Sequence, residues 1–247
     1  MLAVVDYEMG NLRSVAKAFE RLGQAVEVTS DPQRLLAAEG IVLPGVGAFG
    51  DCMGNLERHG LVDPLRRLIA AGRPYLGICL GLQVLFEWSE ESSNAAGRAG
   101  LGVLPGVVRR FPSGLKVPHM GWNQVRFTRT PPLFDGIADD SYFYFVHSYY
   151  AVPADDSVVA ARTDYGEAFV SAVWRQRLFA VQFHPEKSQQ LGLRVLENFA
   201  AFCRQAAATT RLHNRPGNGH SGEWRADVSR TSVSKDDGAQ DADLPRH

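Results

Sequence analysis

The chain has 247 residues, 45% of them hydrophobic and 21% charged, with a formal net charge of -1. That is the composition of a globular protein long enough for one large domain, and a charge so near zero gives no electrostatic footing for nucleic acid or an anionic membrane surface. No apolar run approaches the length of a membrane span, the N-terminus reads as entering a strand directly, so that no signal peptide is expected, and the cysteines Cys52, Cys79 and Cys203 show no metal-ligand spacing. A reducing, cytoplasmic setting is expected, with no membrane, no metal and no disulfide framework.

In chain order, Leu2 to Val5 reads as a strand, and Asn11 to Leu22 carries Leu12, Val15, Ala16, Phe19 and Leu22 on one helical face before Gly23 stops it. A second strand over Ala25 to Thr29, a short helix from Asp31-Pro32 and a third strand over Gly40 to Leu43 follow. This alternation predicts an α/β fold with a mostly parallel central sheet flanked by helices, whose active site lies at the carboxyl ends of the strands. Between Asp51 and Gly72, Leu61, Leu65, Leu68 and Ile69 mark one or two helices. Ser89 to Gly100 reads as a loop, and Leu101 to Phe127, broken by Pro105, Pro112, Gly114 and Pro118, as a smaller antiparallel excursion. Strands are predicted at Tyr142 to Val146, Ser157 to Arg162, Phe169 to Trp174 and Leu178 to Phe183, and a closing helix at Leu191 to Phe199. The domain is expected to span 1–207. From 208 to 247, Thr, Arg, Asn, Gly, Ser and Asp dominate, a composition that buries too little surface to offset ordering entropy, so a disordered tail is expected.

The chemistry centres on Gly77-Ile78-Cys79-Leu80-Gly81. An apolar strand runs into Cys79, and Leu82, Leu85 and Phe86 continue at helical spacing, so Cys79 sits at a strand-to-helix turn between two glycines, the thiol counterpart of a nucleophile elbow. Unpaired N–H groups and the helix dipole at such a turn favour the thiolate, which is the attacking form. A lone cysteine more often just fills a core. A partner shifts that balance, and His184-Pro185-Glu186 offers one: Pro185 keeps His184 extended after the Leu178 to Phe183 strand, so His184 and Glu186 project together as base and orienter. Pro44-Gly45-Val46-Gly47, at a strand's carboxyl end, either is a plain turn or supplies a second oxyanion donor beside the Leu80 N–H. By position, His147-Ser148-Tyr149-Tyr150 can line a substrate pocket, with the His147 imidazole itself read as structural.

Gly77-Ile78-Cys79-Leu80-Gly81-x-Gln83, followed far downstream by His184-Pro185-Glu186, resembles the class I, triad-type glutamine amidotransferases over Leu2 to about Gln205. Asp6 to Ser14, Leu43 to Phe49 and Pro118 to Asn123 are similar to the branch of that family that serves histidine biosynthesis. The resemblance implies a glutaminase with Cys79, His184 and Glu186 catalytic and Gly45, Val46, Gly47, Leu80, Gln83, Ser148 and Tyr149 around the glutamine and its oxyanion. It further implies a Pro44–Gly47 loop in which a peptide turns to complete the oxyanion hole, no cofactor, and a barrel-shaped cyclase partner in a heterodimer. Asn11, Lys116, Met120, Trp122 and Asn123 are the interface candidates it implies. Glu8 departs from the glycine usual there. Two readings of other kinds stand beside this one: a stand-alone cysteine amidase, and a non-catalytic binder on the same fold, against which the intact Cys79, His184 and Glu186 count. A glutaminase subunit of another amidotransferase is the nearer alternative.

Overall fold

The computed structural model describes residues 1–91 and 97–213, with side chains through 209. Its frame is a nine-stranded sheet. The strands are β1 (Leu2–Val5), β2 (Val26–Thr29), β3 (Gly40–Gly45), β4 (Tyr75–Cys79), β8 (His119–Phe127), β9 (Ser141–His147), β11 (Val159–Tyr165), β12 (Glu167–Arg175) and β13 (Leu178–Val181), in the order β2-β1-β3-β4-β13-β12-β11-β8-β9. The five strands from β2 to β13 are parallel; β12, β11, β8 and β9 extend the sheet antiparallel. A smaller sheet holds β5 (Phe86–Ser89), β6 (Arg98–Ala99), β7 (Leu104–Arg110) and β10 (Tyr149–Pro153), in the order β10-β7-β5-β6.

The parallel strands are buried on both sides, so they read as apolar runs rather than as alternating patterns. Leu2, Val4, Val42, Leu76 and Ile78 pack with Val15 and Phe19 of α1 (Leu12–Arg21) and Val195, Leu196 and Phe199 of α6 (Gln189–His213). Ala3, Val5, Ile41, Leu43 and Tyr75 face the other way. They meet Leu35 of α2 (Pro32–Ala37), Cys52, Met53 and Leu56 of α3 (Phe49–Arg58), Leu65 and Leu68 of α4 (Val62–Ala70), and Phe86, Leu104, Val108 and Ala151 of the small sheet. Local chemistry sets the boundaries: the Asp31 carboxylate accepts from the Gln33 N–H at 2.8 Å to cap α2, and Gly23, at φ +71°, follows α1.

Several sequence expectations differ from the structure. The helix after Cys79, α5, spans only Leu80–Gln83, and Phe86 lies in β5; Val84, Leu85 and Phe86 are buried on every side, and pairing with β7 overrides a spacing that looks helical. Ser89 and Arg98–Ala99 are strand residues of one hairpin rather than loop, and 92–96 lie outside the described residues. The predicted antiparallel excursion divides: β7 joins the small sheet, whose β5–β7 pairing is parallel, while β8 belongs to the main sheet. Tyr149 and Tyr150 form the start of β10 rather than a loop. Helix α6 continues through His213, past the boundary expected at 207, and 214–247 lie outside the described residues.

Candidate active site

Cys79 closes β4 and opens α5 with φ 55° and ψ -106°, a conformation that costs a non-glycine residue on the order of 1–3 kcal/mol and persists only where the surroundings impose it. Those surroundings are close backbones. Cys79 pairs in register with Gly45 of β3. A Cβ at Gly81 would lie 1.9 Å from the Leu43 carbonyl oxygen, and one at Gly45 would lie 2.6 Å from the Leu80 Cβ, so neither position admits a side chain without moving a strand or the turn. The fully buried Tyr75 donates its hydroxyl to the Gly81 carbonyl at 3.0 Å, and Tyr7 donates to the Pro44 carbonyl at 2.8 Å, pinning the nucleophile turn and the glycine-rich loop from the same side of the sheet. A single helical turn has little macrodipole, so the dipole expected to favour the thiolate contributes little. The Gln182 amide compensates: its Nε2 donates to Cys79 Sγ at 3.5 Å.

His184 follows β13 in extended conformation, φ -102° and ψ 96°, as Pro185 requires. The chain then enters a short 3-10 turn, Pro185–Lys187, so Glu186 reaches His184 from a turn rather than from a continued strand. The His184 Nδ1 to Glu186 Oε1 distance is 2.9 Å, and each side chain is 1% exposed. Two further bonds stitch this loop to β9, from the His184 N–H to the Tyr144 carbonyl at 2.9 Å and from the Tyr144 N–H to Ser188 Oγ at 3.0 Å, and within the loop Ser188 Oγ donates to the His184 carbonyl at 2.7 Å. His184 Nε2 is buried without a completed hydrogen bond. Burial alone would lower the imidazole's pKa, but negative charge at Cys79, then the Glu186 carboxylate, raise it to about 10. Acceptors on both sides of the ring thus favour the imidazolium.

A cavity of about 230 Å³ opens beside the thiol, lined by Val46, Gly47, Cys79, Leu80, Gln83, Glu91, Pro118, Val146, His147, Ser148 and Tyr149. Sequence analysis named eight of these, Val46, Gly47, Cys79, Leu80, Gln83, His147, Ser148 and Tyr149, with the His147 imidazole read as structural; Gly45 stands behind them in register with Cys79. Glu91 was not legible, since nothing marks it out in a polar stretch. Its carboxylate accepts from the Phe49 N–H at 3.0 Å, and burial raises its pKa, with the Phe49 bond opposing and Asp51 adding. Gln182, also missed, had a signal: a glutamine in the otherwise apolar run Phe179-Ala180-Val181-Gln182-Phe183 needs a buried partner.

On β8, Met120 and Trp122 point to one face, 61% and 46% exposed, next to Tyr142 of β9 at 53%. Asn123 points to the other face and is bonded within the chain, to the Asp164 carbonyl at 2.9 Å among others. Lys116 is exposed and Asn11 half-buried at the start of α1. Glu8 adopts φ 67°, which explains why glycine suits that position, and its carboxylate lies 3.6 Å from Arg58 and 3.5 Å from His59. Among the described residues no group of three or more His, Cys, Asp or Glu is placed to hold a metal ion, and no helix is long and apolar enough to cross a membrane.

A family model described as glutamine amidotransferase class-I matches residues 3–202. The chain belongs to that family. Among its relatives, an imidazole glycerol phosphate synthase subunit HisH from Moorella thermoacetica is 56% identical over 205 residues, which are 83% of this chain and 96% of that protein. The subunit of the same name from Syntrophotalea carbinolica is 54% identical, covering 81% of this chain and 98% of its own. Solved structures support the fold: a glutamine amidotransferase at TM-score 0.64 and 20% identity, covering 82% of this chain and 98% of that one, and PurLQS from Thermotoga maritima at TM-score 0.64 and 20% identity, covering 81% and 97%.

Proposed function

We propose that this chain is the glutaminase subunit of an imidazole glycerol phosphate synthase in histidine biosynthesis, hydrolysing glutamine to glutamate and passing the ammonia to a partner cyclase. The observation that carries the chemistry is the strained Cys79 facing a cavity, with a buried His184–Glu186 pair whose Nε2 is electrostatically coupled to Cys79.

The steps follow from the residues. Cys79 thiolate attacks the side-chain amide carbon of glutamine, and negative charge moves to the amide oxygen. The Leu80 N–H and an N–H of the Val46–Gly47 loop stabilise that oxyanion, the loop peptide turning to complete the pair. His184 Nε2–H protonates the amide nitrogen, the C–N bond breaks and ammonia leaves. His184 Nε2 then takes a proton from water, whose oxygen attacks the thioester carbon. The C–S bond breaks, releasing glutamate and restoring thiolate and imidazolium. Glu186 holds the Nδ1–H throughout. Glu91, the acidic side chain lining the cavity, and the Gln83 amide oxygen suit the substrate's ammonium, and Ser148 and Tyr149 its carboxylate end and backbone.

Ammonia released to water would protonate and lose its nucleophilicity, so delivery needs a docked acceptor. Met120, Trp122 and Tyr142 form an exposed apolar patch suited to a barrel-shaped cyclase subunit, with Asn11 and Lys116 as polar contacts. The test is glutamate release by the purified chain, alone and with the cognate cyclase subunit and its nucleotide ligand. Strong release only in the complex supports the proposal; equal release in both overturns the partner assignment in favour of a free-standing amidase.

A further inference from the structure

Two buried histidines, one of which, His147, lines the cavity, take no part in the steps above. His119 and His147 are 3% and 6% exposed, with Nδ1 of the first 3.2 Å from Nε2 of the second. Burial lowers both, to about 4 and about 3, so both are neutral near pH 7 and each ring carries one donor and one acceptor.

Their tautomers are fixed from both ends. At one end, the Tyr149 carbonyl lies 2.8 Å from His147 Nδ1, and a carbonyl only accepts, so Nδ1 carries the proton and Nε2 accepts. At the other, Asn123 Oδ1 accepts the Gln124 N–H at 2.8 Å and Nδ2 donates to the Asp164 carbonyl at 2.9 Å, so the amide nitrogen is what meets His119 Nε2 at 3.2 Å. His119 then carries its proton on Nδ1 and donates to His147 Nε2.

The same carbonyl sets a second chain. Gln83 Nε2 donates to Tyr149 O at 2.8 Å and to Gln182 Oε1 at 3.1 Å, which leaves Gln182 Nε2 aimed at Cys79 Sγ. The sulfur therefore receives a hydrogen bond whose direction is dictated, link by link, from an oxygen that His147 holds.

We propose that His119, His147 and Gln182 are positioning residues: the histidine pair fixes the Tyr149 carbonyl, and through it the Gln83 and Gln182 amides, so that Cys79 Sγ is held as an acceptor. The proposal rests on the glutaminase reading for its consequence but not for its geometry. The far anchor, Asn123, lies on β8 with Met120 and Trp122, so the strand that carries the exposed patch also carries the first link.

The experiment alkylates the full chain with iodoacetamide near neutral pH and follows the Cys79 peptide by mass spectrometry, beside glutamate release in the complex. Gln182→Met, which keeps the side-chain volume, is expected to slow Cys79 alkylation about tenfold. His119→Phe keeps the aromatic packing but neither bond and is expected to slow it several-fold and to lower kcat with little change in KM. His119→Gln supplies one donor and one acceptor and is expected to restore both. Wild-type alkylation in Gln182→Met, or equal rates for His119→Phe and His119→Gln, would overturn the proposal; should His119→Phe not fold, the Gln182→Met result decides. A wild-type chain that alkylates at Cys79 but releases no glutamate with its partner would count against the glutaminase reading and leave the positioning proposal standing.

Discussion

The His184 imidazole and the Glu186 carboxylate sit 2.9 Å apart with one proline between them in sequence, both almost wholly withdrawn from water. A buried carboxylate so placed holds the Nδ1–H tautomer and stabilises the imidazolium. Glu186→Gln is expected to lower kcat by about 10²–10⁴ while leaving KM for glutamine nearly unchanged. Steady-state kinetics in the complex check this, and unchanged kcat would remove Glu186 from the site.

Glu91 contributes a carboxylate to the cavity wall. Its partner in the proposed complex is the substrate ammonium, and a charge-assisted bond of about 1.5–3 kcal/mol corresponds to a KM for glutamine raised roughly ten- to hundredfold in Glu91→Gln, with kcat held within a few-fold. A selective loss of kcat instead would point to a role in the chemical step.

Gly81 leaves no room for a side chain, its hypothetical Cβ meeting the Leu43 carbonyl at 1.9 Å. Gly81→Ala must push β3 away from the nucleophile turn, at a cost of about 1–3 kcal/mol or more. For a domain of this size that is roughly 2–4 °C of Tm per kcal/mol. Thermal unfolding followed by circular dichroism measures it, together with loss of glutaminase activity out of proportion to the loss of stability.

His119 and His147 titrate below the ordinary histidine value of 6.5 in the folded chain, at about 4 and about 3. The unfolded chain binds their protons first as pH falls, so the stability they allow is complete above about 6.5 and is lost as pH drops through 6.5 toward 4 and 3. Urea midpoints of wild type and His147→Gln between pH 7 and pH 4 test the sign: wild type should lose more stability on acidification than the variant. An equal or smaller loss would contradict the burial of a neutral pair.

Trp122 is exposed beside Met120 and Tyr142 and packs edge-on to Tyr144, with ring centroids 6.1 Å apart. Trp122→Ala is expected to weaken cyclase binding by about 2 kcal/mol or more, near thirtyfold, without a measurable change in Tm. Titration calorimetry with the cyclase subunit reads this, and undiminished affinity would move the docking face elsewhere.

Much of the parallel half of the sheet is legible in sequence because its strands are short apolar runs between helices with a clear 3.6 period, as Leu2 to Val5 and Gly40 to Leu43 show. The backbone at Cys79 and at His184 is legible because Gly-x-Cys-x-Gly and His-Pro-Glu carry their conformation in their residue types. What was hidden depends on pairing across the fold. Phe86 reads as helix until β7 lies beside it, and Tyr149 reads as loop until β7 pairs it with Arg110. Asn123, an interface candidate by resemblance, has its amide committed to His119 and Asp164, which strand alternation places on the face away from Met120 and Trp122. Glu91 enters the cavity only because the small sheet folds over α3, a contact no local pattern announces.

The most direct test of Cys79 as nucleophile is covalent capture. The chain, in complex with its cyclase subunit, is incubated with a glutamine analogue bearing a diazoketone in place of the amide, and each cysteine peptide is then weighed by mass spectrometry. If Cys79 is the nucleophile, one adduct is expected, on Cys79, blocked by excess glutamine and absent from Cys52 and Cys203, with glutamate release lost in step. An unmodified Cys79 in a chain that still loses activity, or full activity with Cys79 modified, would contradict it.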